Sequence, residues 1–199
     1  MQKAIVGTIS VWCFLLLGTI GTATADEPKL IVGVINNGVA PDRILCNAMA
    51  AAQRIFDQGG IATEWVDRSS RPDRPVMLNL RIYPGRVRYR PDPKAFGAAL
   101  LAPAEAPSDL ADIYYGRIED QGFTAAGVAL LLAHVMAHEV GHLLLGREHS
   151  AIGLMRAQWS FRDMLLIRKD RLRFSQADVA RLQVAVKTRS NALDVVALR

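Results

Sequence analysis

Cysteine is scarce in this sequence, which has two cysteines in 199 residues. Cys13 lies in an N-terminal segment with the features of a removable leader, so the mature chain would keep only Cys46. One cysteine cannot form an intrachain disulfide, which excludes the disulfide-stapled class of small exported proteins. The core, together with any bound metal, must then stabilise the fold. Cys46 falls within a helical pattern, and we expect it to be a buried, small apolar residue.

Low-complexity tracts and internal repeats are also absent from the sequence. Hydrophobic residues make up 51% of the chain, which is enough for a sizeable core, and the length favours one domain or at most two. The formal net charge of +5 is mild. It would suit an anionic envelope surface or acidic substrates, but it is also common in proteins with neither role.

The N-terminal segment has the organisation of a signal peptide. Lys3 supplies a positive start, an apolar run extends from Ala4 to Ile20, and Ala23-Thr24-Ala25 forms an A-x-A cleavage site. We predict a signal peptide over residues 1–25 and a secreted or periplasmic mature protein. The alternative is an uncleaved membrane anchor, because residues 4–25 are long enough to span a bilayer.

A basic and aromatic cluster lies in the middle of the chain. A solvated or protected strand edge accounts for it better than nucleic-acid binding, because no other feature of a nucleic-acid-binding protein accompanies it. We therefore expect no nucleic-acid partner. The cluster consists of Arg81, Tyr83, Arg86, Arg88, Tyr89 and Arg90.

Residues 26–199 contain alternating strand and helix patterns. We predict a single mixed α/β (α+β) domain, with a twisted sheet of about five strands on one side of a long helix. An N-terminal helix and a C-terminal helix, N-capped by Ser175, complete it, and the stretch after Met155 and the tail from Ser190 have no clear pattern. Strands are expected at residues 29–35, 61–66, 76–83, 86–90, 96–101 (an edge piece) and 113–118, and helices at 41–57, 125–145 and from 176, with Val179, Leu182, Val184 and Val186 on the inner face of the last.

The long helix carries His138-Glu139-Val140-Gly141-His142, an H-E-x-x-H motif. Two histidines four residues apart project from one helix face, so they can occupy adjacent corners of a tetrahedral zinc site. Glu139 lies beside that face, within reach of a water on the metal, without being a ligand. The motif predicts one catalytic zinc ion.

The third ligand must come from beyond the helix. A continued helix would carry His149 about 10 Å along the axis from His142, too far for a shared ion. Gly146 can adopt positive φ, end the helix and turn the chain back, so that His149 becomes the third ligand and water the fourth. His134 shares the helix face but lies ~12 Å along the axis from His142, and we expect it to be buried or hydrogen-bonded instead.

This region resembles the metzincin zinc peptidases, whose pattern is H-E-x-x-H-x-x-G-x-x-H followed by a methionine turn. Details at His149-Ser150, at Leu154-Met155 and over residues 174–179 are similar to matrixins, and archaemetzincins are another possible relative. The matching positions are His138, Glu139, His142, Gly146 and His149, with Gly153, Leu154 and Met155 as the turn.

The resemblance implies a zincin-like fold and a zinc-dependent endopeptidase. Zinc would be held by His138, His142 and His149, with Glu139 as the general base and Met155 packed beneath the ligands. The substrate would be an extended peptide or protein segment paired with the edge strand near residues 96–101.

One departure from the pattern concerns the third ligand. Three leucines separate His142 from Gly146 where metzincins have two residues, so a strict register would place Glu148 at the third-ligand position. Gly146 and His149 keep their mutual spacing, which favours a helix longer by one residue and His149 as ligand. A recognisable latency prosegment is also missing.

Two other functions fit the same motif. One is a catalytically inert, zinc-stabilised binding or structural protein, and the other is a zinc hydrolase of a non-peptide substrate. Glu139 argues against the first, because a purely structural site has no use for that carboxylate.

Overall fold

The computed structural model describes residues 28–85, 94–101 and 108–197. The proposed leader and the strand expected at residues 86–90 lie outside these ranges. The strands are β1 (Leu30–Ile35), β2 (Thr63–Asp67), β3 (Leu78–Tyr83), β4 (Gly97–Ala99) and β5 (Leu110–Tyr114). The helices are α1 (Asp42–Asp57), α2 (Tyr115–Glu119), α3 (Ala125–Leu145), α4 (Phe161–Arg168) and α5 (Gln176–Ala197).

The five strands form one mixed sheet in the order β2-β1-β3-β5-β4. β1, β2, β3 and β5 pair in parallel, and β4 pairs antiparallel with β5 at one edge. The β1-α1-β2 connection is a crossover, which parallel neighbours require. The predicted mixed α/β domain with about five strands and a long helix is therefore confirmed, and within the described residues β4 lies at the edge of the sheet, as expected for the piece at 96–101.

α3 forms the centre of the core. Among the described residues it is the one helix long and apolar enough to cross a membrane. However, 78% of its apolar 18-residue stretch is buried inside the protein. It packs on α1 and on the sheet, as its nearly uniform apolar sequence predicts. The Thr124 hydroxyl accepts a hydrogen bond from Gly127 N (3.3 Å), which confirms the predicted N-cap.

Arginines from α5 contact the carboxyl end of α3. Arg181 donates to Leu145 O and Arg189 to Leu143 O, each at 3.3 Å. Arg189 also donates to Ser108 O (3.1 Å), so it joins α3 to the chain that enters β5. Guanidinium groups stabilise a helix at this end because its last carbonyls lack partners within the helix.

The strand expected at residues 113–118 is wrong in its second half. β5 ends at Tyr114 and the chain continues as the short helix α2. The turn is close-packed, because a Cβ on Gly116 would lie 2.5 Å from Pro84 O. A short apolar run does not distinguish a buried strand from a buried helix, and the tertiary contact decides between them.

Helical structure is more extensive at the C-terminal end than the sequence pattern indicates. Residues after Met155 were expected to be irregular, but Ser160 and Asp163 form a capping box that begins α4. The tail from Ser190 continues α5 to Ala197. The predicted N-cap of α5 is confirmed, since Asp178 N donates to Ser175 Oγ (3.1 Å).

Two side chains lie on the opposite helix face from the one expected. Cys46 is exposed, because Leu45 and Ala48 form the buried face of α1 and the intervening positions point outward. Val184 is 67% exposed, whereas Leu182 and Val186 are buried as expected. Neither residue was placed correctly from apolar character alone.

Asp163 has a role beyond capping α4. Its Oδ2 accepts hydrogen bonds from Ser160 N (2.8 Å), Ser160 Oγ (2.7 Å) and Arg156 Nη1 (2.7 Å). Burial by itself raises the pKa of this carboxyl, but the hydrogen bonds from Ser160 and the positive charge of Arg156 outweigh burial. They lower the pKa of Asp163 below its ordinary value.

Ser160→Ala removes the capping hydroxyl and should lower the free energy of unfolding by about 1 kcal/mol. We expect Tm at pH 7 to fall by ~2–4 °C in differential scanning fluorimetry. Because the pKa of Asp163 is lowered in the folded state, its stabilisation is present above about pH 4 and is lost as the pH falls through the lowered pKa. The difference in Tm between Ser160→Ala and wild type should therefore become smaller at acidic pH. Ser69→Ala, at an exposed turn, is the control, and an equal loss there would contradict the capping role.

Candidate metal site

The two motif histidines lie on one face of α3, with His142 buried and His138 half-buried. Their Nε2 atoms are 3.0 Å apart, and the rings meet at an interplanar angle of 79°. The helical spacing therefore places both imidazoles on one face of α3, where the two nitrogens can approach each other.

Gly146 ends α3 with φ of 90°, a left-handed conformation that favours glycine. The chain then turns back and brings His149 Nε2 to 3.1 Å from His142 Nε2. The ligand atoms of the three histidines all lie within 4.8 Å of one another. The Glu148 side chain is 84% exposed and its nearest basic partner is Arg181, at 4.0 Å. The turn thus directs His149, and not Glu148, toward the helix.

Backbone carbonyls orient the helical imidazoles. His138 Nδ1 lies 2.8 Å from Leu154 O, and His142 Nδ1 lies 2.8 Å from Gly146 O. Since a carbonyl can only accept, each Nδ1 carries the proton and each neutral ring keeps a lone pair at Nε2. Two lone pairs 3.0 Å apart repel unless a cation lies between them.

Burial keeps these imidazoles uncharged. Burial, followed by the neighbouring His142 ring, lowers the pKa of His138 to about 3. Burial also lowers the pKa of His142 and of His149 below the ordinary value. Neutral imidazole is the form that binds metal, so the site is in the ligand form at pH 7.

The geometry and chemistry of the cluster fit zinc. Tetrahedral coordination with Zn–N bonds of ~2.0–2.1 Å places two ligand nitrogens ~3.3 Å apart. The Nε2 separations of 3.0 and 3.1 Å are close to that value. Carbonyl groups behind metal-bound histidines are the usual way in which the ring tautomer is fixed. His138, His142 and His149 would hold the ion and leave a fourth position for water.

Met155 lies directly beneath the motif helix. It is buried, and a Cβ on Gly141 would be 2.4 Å from its sulfur atom. The turn that carries it is fixed by Leu154 N to Arg173 O (2.7 Å) and by Ser150 N to Met155 O (2.8 Å). Glycine between the two motif histidines therefore lets the methionine approach the helix backbone.

Glu139 faces the edge strand β4. The residue is 5% exposed, and a Cβ on Gly97 would lie 2.7 Å from its Oε1 and 2.8 Å from its Cγ. The backbone of β4 can approach this carboxylate only because Gly97 has no side chain. Sequence analysis missed Gly97, and no local signal identifies it.

An aromatic pair connects His138 to the edge strand. Trp159 Nε1 donates to Leu154 O (3.0 Å), the same carbonyl that orients His138. Its ring meets His138 edge-on at 5.7 Å and stacks on Phe96 at 6.4 Å. Trp159 and Phe96 therefore form a wall beside His138, between the turn and β4.

A polar contact with α5 anchors the third histidine. Ser150 Oγ donates to Asp178 Oδ1 (2.6 Å), and Asp178 is buried within the cap of α5. The capping residues were recognisable from sequence, but their contact with the neighbour of His149 was not. His134 is fully buried and its Nδ1 lies 2.7 Å from Leu130 O, as expected for a histidine outside the cluster.

Among the solved structures similar to this chain are a zinc-dependent peptidase and an archaemetzincin. A zinc-dependent peptidase from Methanocorpusculum labreanum superimposes with a TM-score of 0.53 at 14% identity, over 76% of this chain and 99% of its own. Archaemetzincin from Methanopyrus kandleri gives a TM-score of 0.51 at 13% identity, over 82% of this chain and 99% of its own. No protein-family model matches the sequence, and a comparison with curated proteins gives no match.

At this level of identity the likeness establishes the fold. The mixed sheet and long helix of this chain are those of structures described as zinc-dependent peptidase and archaemetzincin. The predicted mixed α/β fold, with a five-stranded sheet and a long helix, is thus shared with zinc-dependent peptidases of known structure. The matrixin-like details and the extra residue before Gly146 are not addressed by the likeness.

His149→Ala should weaken zinc binding by at least ~100-fold, because a lost ligand costs more than the ~10–100-fold of a lost supporting hydrogen bond. Glu148→Gln is the matched control and should bind zinc like wild type. Competition with a chromophoric chelator measures both affinities. A comparable loss in Glu148→Gln, with His149→Ala unaffected, would make Glu148 the third ligand.

Proposed function

We propose that this chain is an exported zinc-dependent peptidase that hydrolyses internal peptide bonds, with one zinc ion held by His138, His142 and His149. The proposal rests on three neutral imidazole nitrogens that lie close together. Two of them belong to the helix that also bears Glu139, and the third belongs to His149 in the loop that follows. Three protein ligands with an open fourth position are typical of catalytic zinc. The likeness in fold to zinc-dependent peptidases is in keeping with this chemistry.

Glu139 and the two helical histidines have separate roles in the proposed reaction. Zinc in such a site supplies Lewis-acid catalysis. The Glu139 carboxylate accepts a proton from the attacking water and donates it to the leaving amine. Its burial against Gly97 keeps bulk water from the carboxylate and limits its movement. The Nδ1–H groups of His138 and His142 stay on their carbonyls and preserve the ring orientation.

The substrate would bind as an extended segment beside β4. This strand is the last of the sheet among the described residues, so one of its edges is available for pairing. Trp159 and Phe96 provide an apolar surface next to His138 for a substrate side chain.

Export rests on the N-terminal sequence. Lys3, the following apolar run and Ala23-Thr24-Ala25 have the order of a cleavable signal peptide. A mature chain with a single cysteine needs no oxidative pairing in the new compartment.

The N-terminal residue of the mature protein, determined by Edman sequencing, should be Asp26. Retention of residues 4–25 in membranes would instead indicate an anchor.

Glu139→Gln should reduce cleavage of a mixed peptide library by ~10²–10⁴-fold while zinc content stays at the wild-type level. Mass spectrometry of the products and metal analysis of the same samples are the two measurements. Zinc binding by wild type without Glu139-dependent cleavage would instead favour an inert zinc protein or a hydrolase of non-peptide substrates. A protein that binds no zinc would refute the site.

Gly97→Ala should lower the turnover number by ~10–100-fold, because the added methyl group displaces the Glu139 carboxylate. Zinc affinity should not change, since the atoms nearest that methyl group belong to Glu139 and to the backbone of Asp112, not to an imidazole. Gly85→Ala is the matched control, because its Cβ would enter open space. Unaltered turnover in Gly97→Ala would mean that the Glu139 position is not set by β4.

A further inference from the structure

The outer edge of β4 has a defined backbone register. Phe96 O and Leu100 N hydrogen-bond with β5 at 2.8 and 2.9 Å. In an antiparallel pair such residues alternate with residues whose N–H and C=O point to the other side. Gly97, Ala99 and Leu101 therefore direct their backbone groups outward, where no further strand lies among the described residues.

Arginines occupy both ends of this outer edge. Arg147 Nη2 donates to Leu101 O (2.9 Å), which agrees with the outward direction of that carbonyl. Before the strand begins, Arg117 Nη1 donates to Ala95 O. A guest strand can thus pair with the two outward residues between the arginines, of which Ala99 is the more accessible. Pairing beyond it would displace Arg147.

Arg147 places a positive charge at the Leu101 end of the outer edge of β4. Its side chain is exposed, and no carboxylate oxygen within the described ranges lies within 4.0 Å of its guanidinium. It precedes His149 by two residues, so the two Cα atoms are within ~7 Å. The neighbouring Arg181 differs, because it contacts Leu145 O and faces Glu148.

We propose that Arg147 is a specificity-determining residue that ends the substrate-pairing edge at Leu101 and binds a substrate carboxylate there. The inference rests on the proposed function and narrows it to peptides with an acidic group near the scissile bond. One guanidinium N–H holds Leu101 O, and the others remain available for a carboxylate, which they match in a forked geometry.

The carboxylate can belong to an Asp or Glu side chain or to the free C-terminus of a short peptide. Both present the same planar group, and the direction in which the guest strand runs decides which of them reaches Arg147. A preference for the side chain would make the enzyme an endopeptidase for acidic segments. A preference for the free terminus would restrict cleavage to internal peptide bonds a few residues from the C-terminus of the substrate.

The experiment measures binding and cleavage separately. The full mature chain carrying Glu139→Gln and loaded with zinc is added to fluorescein-labelled peptides, and binding is followed by fluorescence anisotropy. This variant should bind peptides without cleaving them. The peptide pairs differ by Glu against Gln at each position, and by a free against an amidated C-terminus. The same unlabelled pairs are offered to the protein with Glu139 intact, and kcat/KM is determined.

One acidic position, or the free terminus, should strengthen binding and raise kcat/KM by ~10-fold over its neutral counterpart. Adding Arg147→Gln, which removes the guanidinium charge and keeps a polar side chain, should reduce this ratio to within ~2-fold. Arg181→Gln is the matched control for net charge and should retain the ratio. Circular dichroism and zinc content confirm that each variant is folded and loaded.

The outcomes separate this inference from the proposed function. Cleavage without any carboxylate preference, or a preference that survives Arg147→Gln, overturns the role of Arg147 and leaves the peptidase intact. Arg147-dependent binding of acidic peptides without cleavage supports the role of Arg147 and overturns the peptidase. Absence of both binding and cleavage overturns both.

Discussion

The convergence of three imidazole nitrogens is the constraint on which the rest of the structure depends. The His138 and His142 rings are neutral, with Nε2 lone pairs 3.0 Å apart that repel unless a cation lies between them, and both rings must be held in one tautomer. The carbonyls of Gly146 and Leu154 provide that control. One belongs to the residue that ends α3 and the other to the turn before Met155, so the path of the chain after the helix is part of the candidate metal site.

Elements distant in sequence fix that path. α5 contacts the end of α3 through Arg181 and Arg189, and it anchors Ser150 through the buried carboxylate of Asp178. Met155 fills the space beneath Gly141. The end of α3, the loop with His149 and the turn before Met155 are thus held by hydrogen bonds and close packing in a chain whose mature form would contain one cysteine.

The edge strand serves the other side of the site. Its Gly97 backbone lies against Glu139, while Phe96 continues through Trp159 to the ring of His138. At its far end Leu101 accepts from Arg147. This short strand and the residues at its two ends therefore contact Glu139, which is the proposed general base, Trp159, and Arg147, which is proposed to bind the substrate.

Local chemistry was sufficient to place β1, α1 and α3, the Thr124 and Ser175 caps and the pairing of His138 with His142, because each depends on residues a few positions apart. The contacts of Glu139 with Gly97, the helical continuation after Tyr114 and the outward face of Cys46 depend on long-range packing and could not be read from periodicity. The choice between His149 and Glu148 as third ligand shows most clearly what the sequence determines and what the tertiary structure decides. Sequence spacing left two side chains available, and the turn at Gly146 directs one to the helix and the other to solvent.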